Sequence, residues 1–186
     1  MLASIFSGKH DEREWMECTL EQGAPARGRG LPIENAGGRE LHVGVTTYVE
    51  LVLNTPVANA AQPAFSQLFV QTGWDAKCNA LIAHRRQRAP DDVPMWVVHT
   101  LRTVGADAMV AYESDRMRFL GRGRTTARPQ AMDVSAGGAL SGTTGPVLDP
   151  IFSLRSAMTL ALGAMTQLVA FLVAGDHDVD VHAIDS

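Results

Sequence analysis

LHVGVTTYVELVL, residues 41–53, decides the fold class. Leu41, Val43, Val45, Thr47, Val49, Leu51 and Leu53 fall on one side of an extended chain. His42, Gly44, Thr46, Tyr48 and Glu50 fall on the other. Successive side chains of a strand point to opposite faces, so this period of two marks a strand with one face in a core. β-branched and aromatic residues dominate the run, as a pleated surface favours. Asn54-Thr55-Pro56 ends it.

Working outward, the same signals recur. Leu68–Thr72 reads as a strand stopped by Gly73, and Ala80–His84 as a strand leading into the basic run 84–88. Met95–Leu101 and Ala108–Glu113 are further apolar runs. Phe152–Leu162 and Ala164–Val173 form a final pair, read as a hairpin turning at Leu162-Gly163-Ala164. Helical periodicity is scarce. Many short strands separated by turn residues predict an antiparallel, all-β sandwich or barrel. Residues 1–38 carry Gly23, Pro25, Gly28, Gly30, Pro32, Gly37 and Gly38 without alternation, and read as a poorly patterned leader of loop. The expected organisation is leader 1–38, sandwich 39–175 and acidic tail 176–186.

Composition excludes several classes. The chain has 186 residues, 46% hydrophobic and 19% charged, which suits one globular domain rather than a disordered chain. A net charge of −4 gives no electrostatic pull towards nucleic acid. Cys18 and Cys78 are too few and too far apart for a disulfide framework or a cysteine zinc site. The first ten residues lack the basic and apolar blocks of a secretory signal. Ser156–Gly175 is uncharged and long enough to cross a bilayer, but Thr159, Gly163, Thr166 and Gln167 suit two strands and a turn better.

Three stretches hold candidate chemistry. ESDRMRFLGRGRTTAR, 113–128, gathers Arg116, Arg118, Arg122, Arg124 and Arg128. Arg122 and Arg124 flank a glycine; extended, they would point the same way and hold a carboxylate, phosphate or sugar hydroxyls, with Asp115 beside them. The alternative is a structural loop in which Glu113 and Asp115 pair with these arginines. SGTTGPVLDP, 141–150, offers Ser141, Gly142 and Thr143 either as a nest of amides for an anion or as a turn. DHDVDVH, 176–182, would align Asp176, Asp178, Asp180 and His182, yet reads as a solvated tail, and no metal site is expected. His42, His84 and His99 are isolated. Glu50, Glu113, Asp115 and Asp149 are the carboxylates that would have to face one another for glycoside chemistry, and no catalytic residue is assigned.

Several stretches together resemble a known family: VTTYVELVL at 45–53, AQPAFSQLFVQT at 61–72, ESDRMRFLGRGR at 113–124 and ALSGTTGPVLDPIFSLR at 139–155. In order and spacing they are similar to the N-terminal sandwich of the cellobiose and chitobiose phosphorylases, above all to the phosphorylase-like region of cyclic β-1,2-glucan synthases. The resemblance covers roughly residues 39–175. It implies a galactose-mutarotase-like supersandwich, expected to be incomplete here. It also implies a following (α/α)6 barrel that carries out inverting phosphorolysis, with inorganic phosphate as co-substrate and no bound cofactor. The expected partners are a β-glucan or oligosaccharide, the barrel, and a second copy in a homodimer. Cytoplasmic placement follows from the same likeness. The expected role is a non-catalytic, carbohydrate-associated domain, with Arg122, Arg124, Asp115, Ser141, Gly142 and Thr143 facing the barrel; the alternative is a purely structural or dimerisation domain.

Overall fold

A computed structural model describes residues 2–9, 12–19, 26–54, 63–87, 92, 94–104, 110–133 and 139–175, with side chains from residue 28 onward other than 63 and 64. Among these residues ten strands run in chain order: β1 Leu2–Lys9, β2 Glu12–Thr19, β3 Ala26–Glu34, β4 Leu41–Glu50, β5 Val70–Asp75, β6 Ala80–Arg85, β7 Trp96–Thr103, β8 Val110–Asp115, β9 Pro150–Leu160 and β10 Met165–Gly175. Among the described residues there are also two short helices, α1 Pro63–Gln67 and α2 Arg116–Leu120, and a 3-10 turn at Gln130–Met132. The strands make two antiparallel five-stranded sheets, β2-β1-β4-β9-β8 and β3-β10-β7-β6-β5.

The alternation in 41–53 has the predicted result. Val45, Val49, Leu51 and Leu53 are buried in the core between the sheets, against Phe152 and Leu154 of β9, Leu81 of β6, Leu101 of β7 and Leu172 of β10. Each such side chain contributes roughly 1.5–3 kcal/mol on burial. The opposite face of β4 is buried as well. Tyr48 packs with Phe119, Leu120, Ala131, Leu140 and Ile151 in a second cluster outside the first sheet. α2 and the turn that follows it therefore form a lid on β4 and β9, pinned by Arg155, which donates to Thr46 Oγ1 at 2.7 Å and to the Ala131 carbonyl at 2.6 Å.

Three expectations need correction. Residues 1–38 are not simply loop: β1 pairs with β2 and β4, and β3 pairs with β10. β3 escaped the alternation test because Gly28 and Gly30 leave room for larger neighbours; a Cβ at Gly28 would lie 2.7 Å from the Phe171 ring. Gly73 does not end its strand but sits within β5, paired with Ile82. The segment 156–175 is no hairpin either. β9 pairs with β4 and β8, whereas β10 pairs with β3 and β7. The turn at 161–164, with Gly163 at φ 68°, carries the chain from one sheet to the other. Both strands are central, which explains the lack of charge. Among the described residues no helix is long and apolar enough to cross a membrane.

His99 ties the sheets together. It is 3% exposed, and its Nδ1 lies 2.9 Å from the Phe171 carbonyl, which only accepts, so Nδ1 carries the proton. Nε2 then accepts from the Thr47 hydroxyl at 2.8 Å, whose oxygen accepts from the Leu154 amide at 3.1 Å. Burial pushes the imidazole from 6.5 down to about 4, against the opposing effect of the Phe171 bond. The unfolded chain takes up this proton near pH 6.5 and the folded chain only near pH 4, so the contribution is complete above the first value and is lost as pH falls towards the second. Acidification across that window is expected to cost about 3 kcal/mol through this residue. Urea midpoints against pH, with His99→Gln as reference, measure it. Identical pH profiles for the two proteins would overturn the neutral buried imidazole.

Candidate functional site

The motif-bearing residues lie at one edge of the sandwich, where β8 of the first sheet and β5 of the second face each other. A bulge between Glu113 and Asp115 interrupts the β8–β9 ladder. Glu113 is 1% exposed. Its Oε1 accepts from the amides of Ser114 at 3.0 Å and Asp115 at 2.9 Å, and its Oε2 accepts from the Ser141 amide at 3.1 Å and from the Ser141 hydroxyl. With the Ser141 proton engaged there, the Thr143 hydroxyl at 2.9 Å donates to Ser141 Oγ. The amides around Ser141 and the β8 bulge thus hold an anion, and that anion is the chain's own Glu113.

The loop continues as a clasp. Gly142, at φ 69°, donates its amide to the Tyr112 carbonyl at 2.9 Å. The Thr143 carbonyl accepts from the Ser114 amide at 3.1 Å. Gly145 exchanges backbone bonds with Thr72 of β5 at 2.9 and 3.2 Å, and Thr72 Oγ1 lies 2.8 Å from Ser114 Oγ. One loop therefore bonds to the edge strands of both sheets.

Beside it, Arg116 is a hub. Its Nε donates to the Tyr48 hydroxyl at 3.1 Å and lies 3.3 Å from Glu50 Oε1. Its Nη1 pairs with Asp149 at 3.2 Å. Burial drives the Tyr48 phenol well above its ordinary value, with Arg116 opposing and Glu50 reinforcing the rise. Tyr48, Arg116 and Asp149 were not paired by sequence reasoning; the available signal was Tyr48 and Glu50 two apart on one strand face.

The arginine segment is not extended. Asp115 caps α2, accepting from the Met117 amide at 2.8 Å and the Arg118 amide at 3.4 Å. Gly121, at φ 82°, closes the helix with its amide on the Met117 carbonyl. Arg122 and Arg124 consequently sit in a turn. Arg124 pairs with Asp133 at 2.5 Å, while Arg122 is exposed and makes no side-chain hydrogen bond or ion pair within the described residues. Ser141, Gly142 and Thr143 come together with Glu113, not with Arg122 or Arg124. The carboxylates of Glu50, Glu113, Asp115, Asp133 and Asp149 all have partners of their own. Among the described residues no group of three His, Cys, Asp or Glu side chains is placed to hold a metal. The run 176–182 lies outside the described residues.

Two five-stranded antiparallel sheets with an α2 lid and an edge clasp define a large β-sandwich of the supersandwich class. The family signature described as the Glycosyl hydrolase 94 supersandwich domain matches residues 3–185, and the chain belongs to this family. The Cyclic beta-(1,2)-glucan synthase NdvB of Rhizobium meliloti (strain 1021) is 34% identical over 172 residues, 91% of this chain. The chain spans 6% of that relative's length.

Proposed function

We propose that this chain is the non-catalytic, glucan-handling domain of a β-glucan-processing glycoside phosphorylase or cyclic glucan synthase. The observation that carries this reading is the engagement of its carboxylates: a pair serving as general acid and base needs free oxygens across an open cleft, and those of Glu50, Glu113, Asp115 and Asp149 are bound to amides, a hydroxyl or Arg116. Bond cleavage, with inorganic phosphate as co-substrate, is the work of an (α/α)6 barrel lying outside these residues, on the cytoplasmic side of the membrane. Arg122 is the motif residue left open to meet that barrel or its substrate.

Calorimetric titration of the purified chain with β-1,2- and β-1,4-linked gluco-oligosaccharides tests this. Binding at about millimolar Kd without release of glucose or sugar phosphate is expected. Sugar phosphate released by the chain alone overturns the non-catalytic assignment. A second reading, a purely structural or dimerising domain, draws support from the internal use of Asp115, Arg124, Ser141 and Thr143. Absence of binding at about 10 mM sugar, together with a dimer in sedimentation, selects it.

A further inference from the structure

The second sheet carries a recess beside its β5 edge, away from the arginine segment 113–128. Alternation dictates its lining. Val70 and Thr72 of β5 are buried, so Gln71, Gly73 and Asp75 point outward; Leu81 and Ala83 of β6 face the core, so Ile82 and His84 face out. Trp96 of β7 and Pro146 of the clasp add to the lining, and the volume is about 770 Å³. Small-molecule sites run to roughly 300–1,000 Å³.

The floor is Gly73. A Cβ built there would meet nothing within 4 Å, so the space above it is open to a ligand. The wall is aromatic. His84 and Trp96 are cross-strand partners whose rings stack at 4.4 Å and 25°. The rim is polar, and part of it is unspent: the Gln71 amide, the His84 ring nitrogens and the Trp96 indole N–H make no hydrogen bond within the described residues. Asp75 Oδ1 accepts from the amides of Lys77 and Cys78 at 2.8 and 3.1 Å, which fixes the carboxylate at the rim. Asp75 and Lys77 are of opposite charge, so the rim favours an uncharged ligand over a phosphate-bearing one.

Flat apolar ring surface beside unspent donors and acceptors, with no net charge, matches the chemistry of a glucopyranose. Its C–H face packs on an aromatic system and its equatorial hydroxyls both donate and accept. We propose that this recess is a glucan subsite, in which one ring of a β-linked gluco-oligosaccharide lies over Gly73 against His84 and Trp96, with hydroxyls on Gln71 and Asp75. The subsite rests on the glucan-handling reading above and deepens it. It lies on the second sheet, whereas the α2 lid and its arginines cover the first, so it anchors a glucan apart from the lid arginines.

The test is titration of the full chain with β-1,2-linked gluco-oligosaccharides, followed by calorimetry and tryptophan fluorescence. Trp96→Ala is expected to weaken binding about tenfold or more and to reduce the fluorescence response, Trp74 of the same lining remaining. Gly73→Val guards against misfolding: valine favours strands, the space above Gly73 is open, and the variant is expected to melt as the unmodified chain does while losing affinity to a similar extent. Leu162→Ala, at the exposed turn between the sheets, is expected to bind unchanged. If the unmodified chain binds and both Trp96→Ala and Gly73→Val bind equally well, the subsite is overturned and the glucan-handling reading stands. If the unmodified chain binds no gluco-oligosaccharide at all, that reading fails and the subsite fails with it.

Discussion

Glu113→Ala is expected to lower stability by about 3 kcal/mol, a fall of roughly 6–12 °C in Tm for a chain of this size. The carboxylate is buried and accepts from the amides of Ser114, Asp115 and Ser141 and from the Ser141 hydroxyl. Removing it strands the Asp115 and Ser141 amides, the Ser114 amide keeping the Thr143 carbonyl, and a buried donor left without a partner costs about 1–3 kcal/mol. Glu113→Gln keeps the shape but turns an NH2 group towards N–H donors, so a loss of about 2 kcal/mol is expected from the isosteric change. Ser141→Ala removes one hydroxyl and is expected to cost about 1 kcal/mol. A double-mutant cycle gives the decisive reading. Coupling between positions 113 and 141 is expected to be of the order of 1 kcal/mol. Independent, additive effects would mean that the carboxylate does not organise the clasp.

Asn35→Ala is the other large effect. Asn35 is fully buried. Its Nδ2 donates to the carbonyls of Arg39, Leu160 and Ala161 at 2.8, 3.0 and 3.0 Å, and its Oδ1 accepts from the Gly37 amide at 3.1 Å. Its own backbone bonds to Ala164 and Gly163. One side chain thus fastens the β3–β4 connection to the corner where β9 leaves one sheet and β10 enters the other. Alanine leaves the carbonyls and an amide unpaired, for an expected loss of about 3 kcal/mol. Asn35→Asp is almost isosteric yet sets a carboxylate against carbonyl oxygens, and is expected to cost at least as much. Urea denaturation of both variants checks this. A loss below about 0.5 kcal/mol for Asn35→Asp would contradict the donor role of Nδ2.

The two sites also show what the sequence could reveal. The sandwich was legible because 41–53 alternates in register with the core between the sheets, and because short apolar runs at β6 and β7 lie between turn residues. β3 was not, because Gly28, Gly30 and Pro32 suit a strand whose bulk is supplied by Phe171 and Gln167 of its neighbour; pattern within one segment cannot display volume lent by another. Asn35 was passed over since two of the carbonyls it serves, Leu160 and Ala161, are 125 and 126 residues away. At the candidate site, the 113–124 and 141–145 stretches stand out in the sequence, and the resemblance drawn partly from them agrees with the family the chain belongs to. Their geometry was out of reach. The bulge at Glu113 and the cap at Asp115 turn extended-looking sequence into a short helix, and a glutamate adjacent to arginines in sequence instead finds amides contributed from residue 141.

The strand order also sets a timetable. β9 lies between β4 and β8, and β10 between β3 and β7, although they come last among the described strands. As the polypeptide leaves the ribosome, among the described strands β4 has only β1 to pair with, β7 only β6, and β3 and β8 have no sheet neighbour until residues 150–175 arrive. Contacts of such long sequence separation form slowly, and exposed strand borders invite association with other chains meanwhile. The demand for chaperone protection during synthesis is therefore concentrated in the interval before β9 and β10 emerge and is relieved by their insertion.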